Sequence, residues 1–164
     1  MKILKSVTLC LMLVALSAFA FACNTPSSQS IESTPSVEST ESAGSLVDAS
    51  SLVTITEDTV IITVSADYMA ITSATVLVDY MDKLKADNAL SFTIKDGMIN
   101  SINGLENPAD WSKCWMLYTN DTELSNEAWG KVTVNDVVYL SAILGAESLP
   151  IKDGMTYVWV YANF

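Results

Sequence analysis

From Leu52 onward, apolar and polar residues alternate in short runs punctuated by turn pairs; before Leu52 no such pattern exists. Val60 to Val64 is a β-branched run that predicts a strand. Leu52 to Thr56 either pairs with it across Glu57-Asp58 or leads into it. The period then changes. Leu77, Tyr80, Met81 and Leu84 recur at helical spacing and predict one short amphipathic helix over Val76 to Ala86, with Thr75 as N-cap. Further strands are predicted at Leu90 to Lys95, Met98 to Ile102, Lys113 to Thr119, Lys131 to Val134, Val137 to Leu140 and Thr156 to Ala162. Asp96-Gly97, Asn103-Gly104, Asn135-Asp136 and Asp153-Gly154 supply residues that tolerate the positive φ of tight turns. Asp121 to Glu127 reads as an acidic loop. In the last strand, Val158 and Val160 are expected to face one way and Tyr157, Trp159 and Tyr161 the other. A single short helix among the strands predicts an α+β, mainly β domain over 52–164.

The N-terminal pattern is of another kind. Lys2 and Lys5 precede an apolar stretch from Val7 to Phe21, which predicts a secretion signal over 1–22. Ala20-Phe21-Ala22-Cys23 places small residues before a cysteine and resembles a bacterial lipobox, so Cys23 is the expected lipidation site and first mature residue. Plain secretion and an uncleaved membrane anchor are the alternatives. Acyl chains contribute about 0.8 kcal/mol per buried CH₂, so a doubly acylated cysteine anchors stably. The stretch 23–51 is rich in Ser, Thr, Glu and Pro and predicts a disordered linker. Its reach is roughly 30 Å. The expected localisation is therefore extracytoplasmic, lipid-anchored at a cell membrane or cell surface.

Composition narrows the chemistry. The formal charge is −11, which counts against nucleic acid and bare anionic lipid as partners. The chain has no histidine, which removes every Ser-His or Cys-His nucleophile pair and the commonest general base. The expectation is a protein that is not an enzyme, with no cofactor. Asp110, Asp121, Glu123 and Glu127 fit neither an EF-hand loop nor another fixed carboxylate pattern, and read as a solvated acidic rim. Cys114 is the one thiol inside the domain; it is expected to be modestly exposed and chemically inert.

The order of the pieces carries a resemblance. A Thr-preceded helix leads to LSFTIKDGMINSINGL with its Ser101-Ile102-Asn103-Gly104 turn. Trp115 with Tyr118-Thr119-Asn120 follows, and Lys152-Asp153-Gly154 comes before Trp159 and Tyr161. This series, over roughly Val60 to Tyr161, resembles the transcobalamin-like C-terminal domain, a module of cobalamin carriers and bacterial surface lipoproteins. The resemblance implies a β-grasp-like sheet with the helix packed across it and a non-catalytic ligand-binding module, with a cobalamin-type corrinoid as candidate ligand. This chain departs from the family pattern at Asp121, where glycine often stands, and at Met155, where an acidic residue is usual.

Trp111, Trp115, Tyr118, Asn120 and Trp129 are the candidate ligand-binding residues, since flat aromatic surface suits a macrocycle, a sugar ring or an apolar protein patch. For Trp115 a core position is the stronger alternative, and for Asn120 a turn-stabilising one. Ligand capture predicts that Trp111, Tyr118 and Trp129 converge on a concave site. The alternative function, an envelope protein-protein interaction or surface-display module, predicts a flatter apolar patch.

Overall fold

In the computed structural model, the described residues are 47–163, and they form a mainly β α+β fold. The expected leader, Cys23 and the linker up to residue 46 lie outside them. The last linker residues do not behave as linker: Ala49–Leu52 forms a 3-10 turn started by Asp48, and Ala49 and Leu52 are buried in the core. The packed domain therefore begins before Leu52, because an Asp-capped turn places two apolar side chains inward.

Strands β1 (Val53–Ile55), β2 (Thr59–Thr63), β6 (Lys113–Thr119), β7 (Ser125–Val134), β8 (Val137–Ala142) and β9 (Thr156–Asn163) make a six-stranded sheet in the order β1-β2-β9-β6-β8-β7. Every pairing in it is antiparallel. Strands β3 (Phe92–Lys95), β4 (Met98–Ile102) and β5 (Leu105–Glu106) form a separate three-stranded sheet. Asp96 and Gly97 (φ 53° and 78°) close the β3–β4 hairpin, and Asn103 and Gly104 (φ 47° and 83°) close β4–β5, as the sequence pairs predict.

Helix α1 (Leu77–Ala86) packs its apolar stripe inward, with Leu77, Tyr80, Met81 and Leu84 fully buried. The Tyr80 hydroxyl ties it to the sheet: it accepts from Ser65 N at 3.0 Å and donates to the Thr63 carbonyl at 3.3 Å. The N-cap is Val76, not Thr75. Thr75 spends its hydroxyl on Thr72, whose N–H donates to it at 2.9 Å, while the Asp79 carboxylate accepts from Val76 N at 3.0 Å. The first helical N–H groups find loop carbonyls, Leu77 N to Leu149 O at 2.9 Å and Val78 N to Ala146 O at 3.0 Å. Asn88, at φ 60°, terminates the helix in the left-handed region.

Two other expectations are corrected. Strand β7 starts at Ser125, inside the expected acidic loop, and carries an irregularity between Asn126 and Lys131. Strand β3 starts at Phe92 rather than Leu90. In β9, Tyr157, Val158 and Trp159 are all buried. Val158 lies between Ile61 and Tyr118 on the neighbouring strands, and such neighbours shield a small side chain on the outer face.

Candidate binding cavity

Strand β6 joins the two sheets. The Trp115 indole Nε1 donates to the Leu105 carbonyl at 2.9 Å, and the Tyr161 hydroxyl donates to the Glu106 carbonyl at 2.9 Å. Asn107, just after β5, completes the joint: its Nδ2 donates to the Ile99 carbonyl at 2.8 Å and its Oδ1 accepts from Trp115 N at 3.1 Å. One side-chain amide thus holds β4 against β6.

Between these elements lies a cavity of about 510 Å³, bounded by three stretches: Gly97 to Ile99, Cys114 to Leu117, and Ser141 to Glu147. Trp111 and Trp159 also line it. That volume falls in the range of small-molecule sites, and the walls are mostly apolar and aromatic, as such sites are. Trp111 stands at φ 56°, an uncommon backbone state for a bulky residue, and is 43% exposed. Its N–H donates to the Pro108 carbonyl at 3.0 Å, so a turn holds it there. Glu147 is the one carboxylate of the lining. Its Oε2 lies 3.3 Å from where a Cβ on Gly97 would sit, so the hairpin tip at φ 78° both requires glycine and lets the carboxylate approach.

Cys114 is buried, contrary to the expected modest exposure, and its Sγ lies 3.4 Å from Met116 Sδ. It points to the same side of β6 as Met116, and burial pushes its thiol pKa up, which favours the unreactive protonated form. Trp159 Nε1 is buried with no partner among the described residues.

The five sequence candidates separate. Trp111 and Trp115 meet at the cavity; Tyr118, Asn120 and Trp129 are not part of its lining. Trp115 is also a core residue, 7% exposed and tilted against Tyr161 with ring centroids 5.3 Å apart. Asn120 accepts from Thr156 N at 2.8 Å and so fastens the start of β9. Tyr118 is half-buried on β6, and burial, with a smaller effect from Cys114, raises its pKa. Trp129 is the most exposed large apolar side chain of the described residues, at 61%, on the irregular part of β7.

The expected acidic rim is divided as well. Asp121 is buried, caps its own turn by accepting from Glu123 N at 3.0 Å, and lies 2.9 Å from Lys152 Nζ. Glu123 takes the same ammonium at 2.6 Å. Glu127 pairs with Lys131 at 2.7 Å, and Asp110 accepts from Ser112 N at 3.1 Å. These carboxylates are engaged locally rather than gathered into one site. No group of three or more acidic or cysteine side chains placed to hold a metal occurs among the described residues.

Sequence reasoning missed the third wall, Ser141 to Glu147. The signal was present in Ala142-Ile143-Leu144, an apolar run that continues past the end of the predicted strand with Leu144 41% exposed. No family model, curated protein or solved structure matches the chain.

Proposed function

We propose that the domain is a non-catalytic ligand-binding module, carried outside a cell on a lipid anchor at Cys23, and that the cavity beside β6 is its site. The observation that carries this reading is an open, indole-walled space of about 510 Å³ in a domain of this size. Apolar burial drives capture, at roughly 25 cal/mol per Å² removed from water. Trp111 supplies exposed aromatic surface at the mouth. A corrinoid, the ligand implied by the resemblance to transcobalamin-like domains, has a macrocycle and nucleotide arm too large for this volume. It would rest on Trp111 and Met98 at the rim rather than be enclosed.

Tryptophan fluorescence tests the site, using 1-aminoanthracene as a neutral apolar probe and cobalamin as the corrinoid. Saturable binding of either that weakens on Trp111→Ala supports the reading. Binding that ignores Trp111→Ala and changes with Trp129→Ala places the site elsewhere.

A second reading, docking to an envelope protein, is favoured by one observation. Trp129, Val138 and Val137, all on the β7–β8 hairpin, are 61%, 52% and 46% exposed. Photo-crosslinking on intact cells from position 129, compared with position 111, separates the two readings. Protein adducts from 129 alone favour docking through the hairpin.

A further inference from the structure

Strand β6 is unequally paired. Against β9 its register runs the full length, from Lys113 opposite Asn163 to Thr119 opposite Tyr157. Against β8 it is paired only at Tyr118 with Ser141 and Thr119 with Leu140. After Ala142 the chain leaves, and Ile143 N donates to the Leu124 carbonyl at 3.0 Å instead of continuing beside β6. Beyond Ala142, which stands opposite Leu117, the half of β6 from Lys113 to Leu117 therefore has no further ladder partner on that side.

That edge is one wall of the cavity. Four consecutive residues, Cys114 to Leu117, line it, so the backbone contributes as well as one side-chain face. The Trp115 N–H leaves β6 on the side away from β9, where Asn107 Oδ1 accepts it at 3.1 Å. In a strand, the N–H and C=O of one residue share a side and residues two apart repeat it. The Trp115 carbonyl and the Leu117 N–H accordingly face the side that β8 leaves after Ala142, where, among the described residues, the only neighbour joined to the β6 backbone is the Asn107 side chain at Trp115 N.

A purely apolar ligand would fill this space and leave those backbone groups without partners, which costs binding free energy. A polypeptide in extended form matches both the apolar walls and the ladder groups. We infer that the ligand of this cavity is a short extended peptide that adds as a strand to the free half of β6. This rests on the reading of the cavity as the binding site. Strand geometry allows a span of about five residues along that half. The charge of the bound segment follows from the walls: Glu147 is their one charged side chain, in a chain of formal charge −11, and Lys113, at the start of that half, lies outside the lining. Alternating apolar residues with basic flanks are complementary to it.

The test uses the ¹⁵N-labelled protein and a capped pentapeptide of alternating lysine and valine at millimolar concentration. Two further versions carry N-methyl groups on one or the other alternate set of amides. Shifts centred on Trp115 to Leu117, slowed exchange of the Leu117 amide, and at least tenfold weaker binding by one N-methylated version only are the expected results. Equal binding by all three peptides, or shifts centred on Trp129 and Val138, overturns strand addition. If 1-aminoanthracene binds in the cavity and the peptides do not, the peptide assignment falls while the binding-site reading stands. If neither binds, both fall.

Discussion

Replacing Asn107 by alanine tests whether one side chain holds the cavity together. The substitution removes the donor to the Ile99 carbonyl at 2.8 Å and the acceptor for Trp115 N at 3.1 Å, both in a partly buried setting. The backbone N–H of residue 107 still donates to the Asn100 carbonyl at 2.8 Å, so the turn itself remains tied. A typical intramolecular hydrogen bond contributes about 1 kcal/mol net, and an orphaned buried donor costs about 1–3 kcal/mol. Two bonds, one of which leaves a strand N–H unpaired, give an expected loss of about 2 kcal/mol. With a urea m-value of about 1.5 kcal/mol/M, the unfolding midpoint falls by roughly 1.3 M. Amide exchange at Trp115 accelerates in the native state, because the β6 edge loses its one side-chain acceptor. Asn107→Asp keeps an acceptor for Trp115 N but sets a carboxylate against the Ile99 carbonyl, so it protects the Trp115 amide without restoring full stability. An Asn107→Ala protein with an unchanged midpoint and unchanged Trp115 exchange would refute the assignment of Asn107 as the joint between β4 and β6.

Tyr80→Phe removes the hydroxyl that Ser65 N donates to at 3.0 Å in a fully buried position, so a loss of about 1–3 kcal/mol in urea unfolding is expected. Tyr68→Phe, whose hydroxyl donates to the half-exposed Asp87 carboxylate at 2.7 Å, loses less; a reversed order contradicts the buried clasp. The Lys83 ammonium and then the Tyr68 hydroxyl hold the Asp87 carboxyl below its ordinary value of 3.8. A depressed folded pKa contributes stability that is complete above the unfolded value and lost as pH falls through the folded one. Acid unfolding below about pH 4 is thus shallower in Asp87→Asn than in the parent, and identical acid profiles would remove Asp87 from the account. Cys114, buried and held as the thiol, is expected to react with monobromobimane at least tenfold more slowly in the native than in the urea-unfolded protein, and more slowly still when the cavity is filled. Equal native and unfolded rates would mean that the cavity wall opens freely.

Much of the fold was legible because its signals are local. Leu77, Tyr80, Met81 and Leu84 lie one helical stripe apart, and all four are buried. Asn103-Gly104 and Asn135-Asp136 have turn chemistry that fixes hairpins over a few residues, and all four residues have positive φ. What was not legible depends on partners distant in sequence. Ser125 to Glu127 is polar and acidic by composition, yet β7 begins there because β8 offers a ladder opposite Ala142 and Ser141. Strand β5, only Leu105–Glu106, is too short to carry a period at all. Thr75 has the right chemistry for a cap and is diverted by Thr72 three residues earlier. The cavity is the extreme case. Trp111 and Trp115 stood out as aromatic residues, but the empty space beside them exists because β8 leaves β6 after Ala142, a fact about pairing and not about any stretch of sequence.

The loop that closes the cavity has a second engagement with evolutionary weight. Ala146 and Leu149, which give their carbonyls to the first N–H groups of α1, belong to the same short run as the Ser141 to Glu147 wall. A lineage that lengthened this loop to reshape the pocket would uncap α1 in the same step. The hairpin tip at Asn135-Asp136 carries no such double duty, since both residues are exposed and lie at the far end of β7 and β8. Change in the cavity's shape is therefore channelled into side-chain replacement at Trp111, Met98 and Leu144, and insertions are expected to be tolerated better at the hairpin tip.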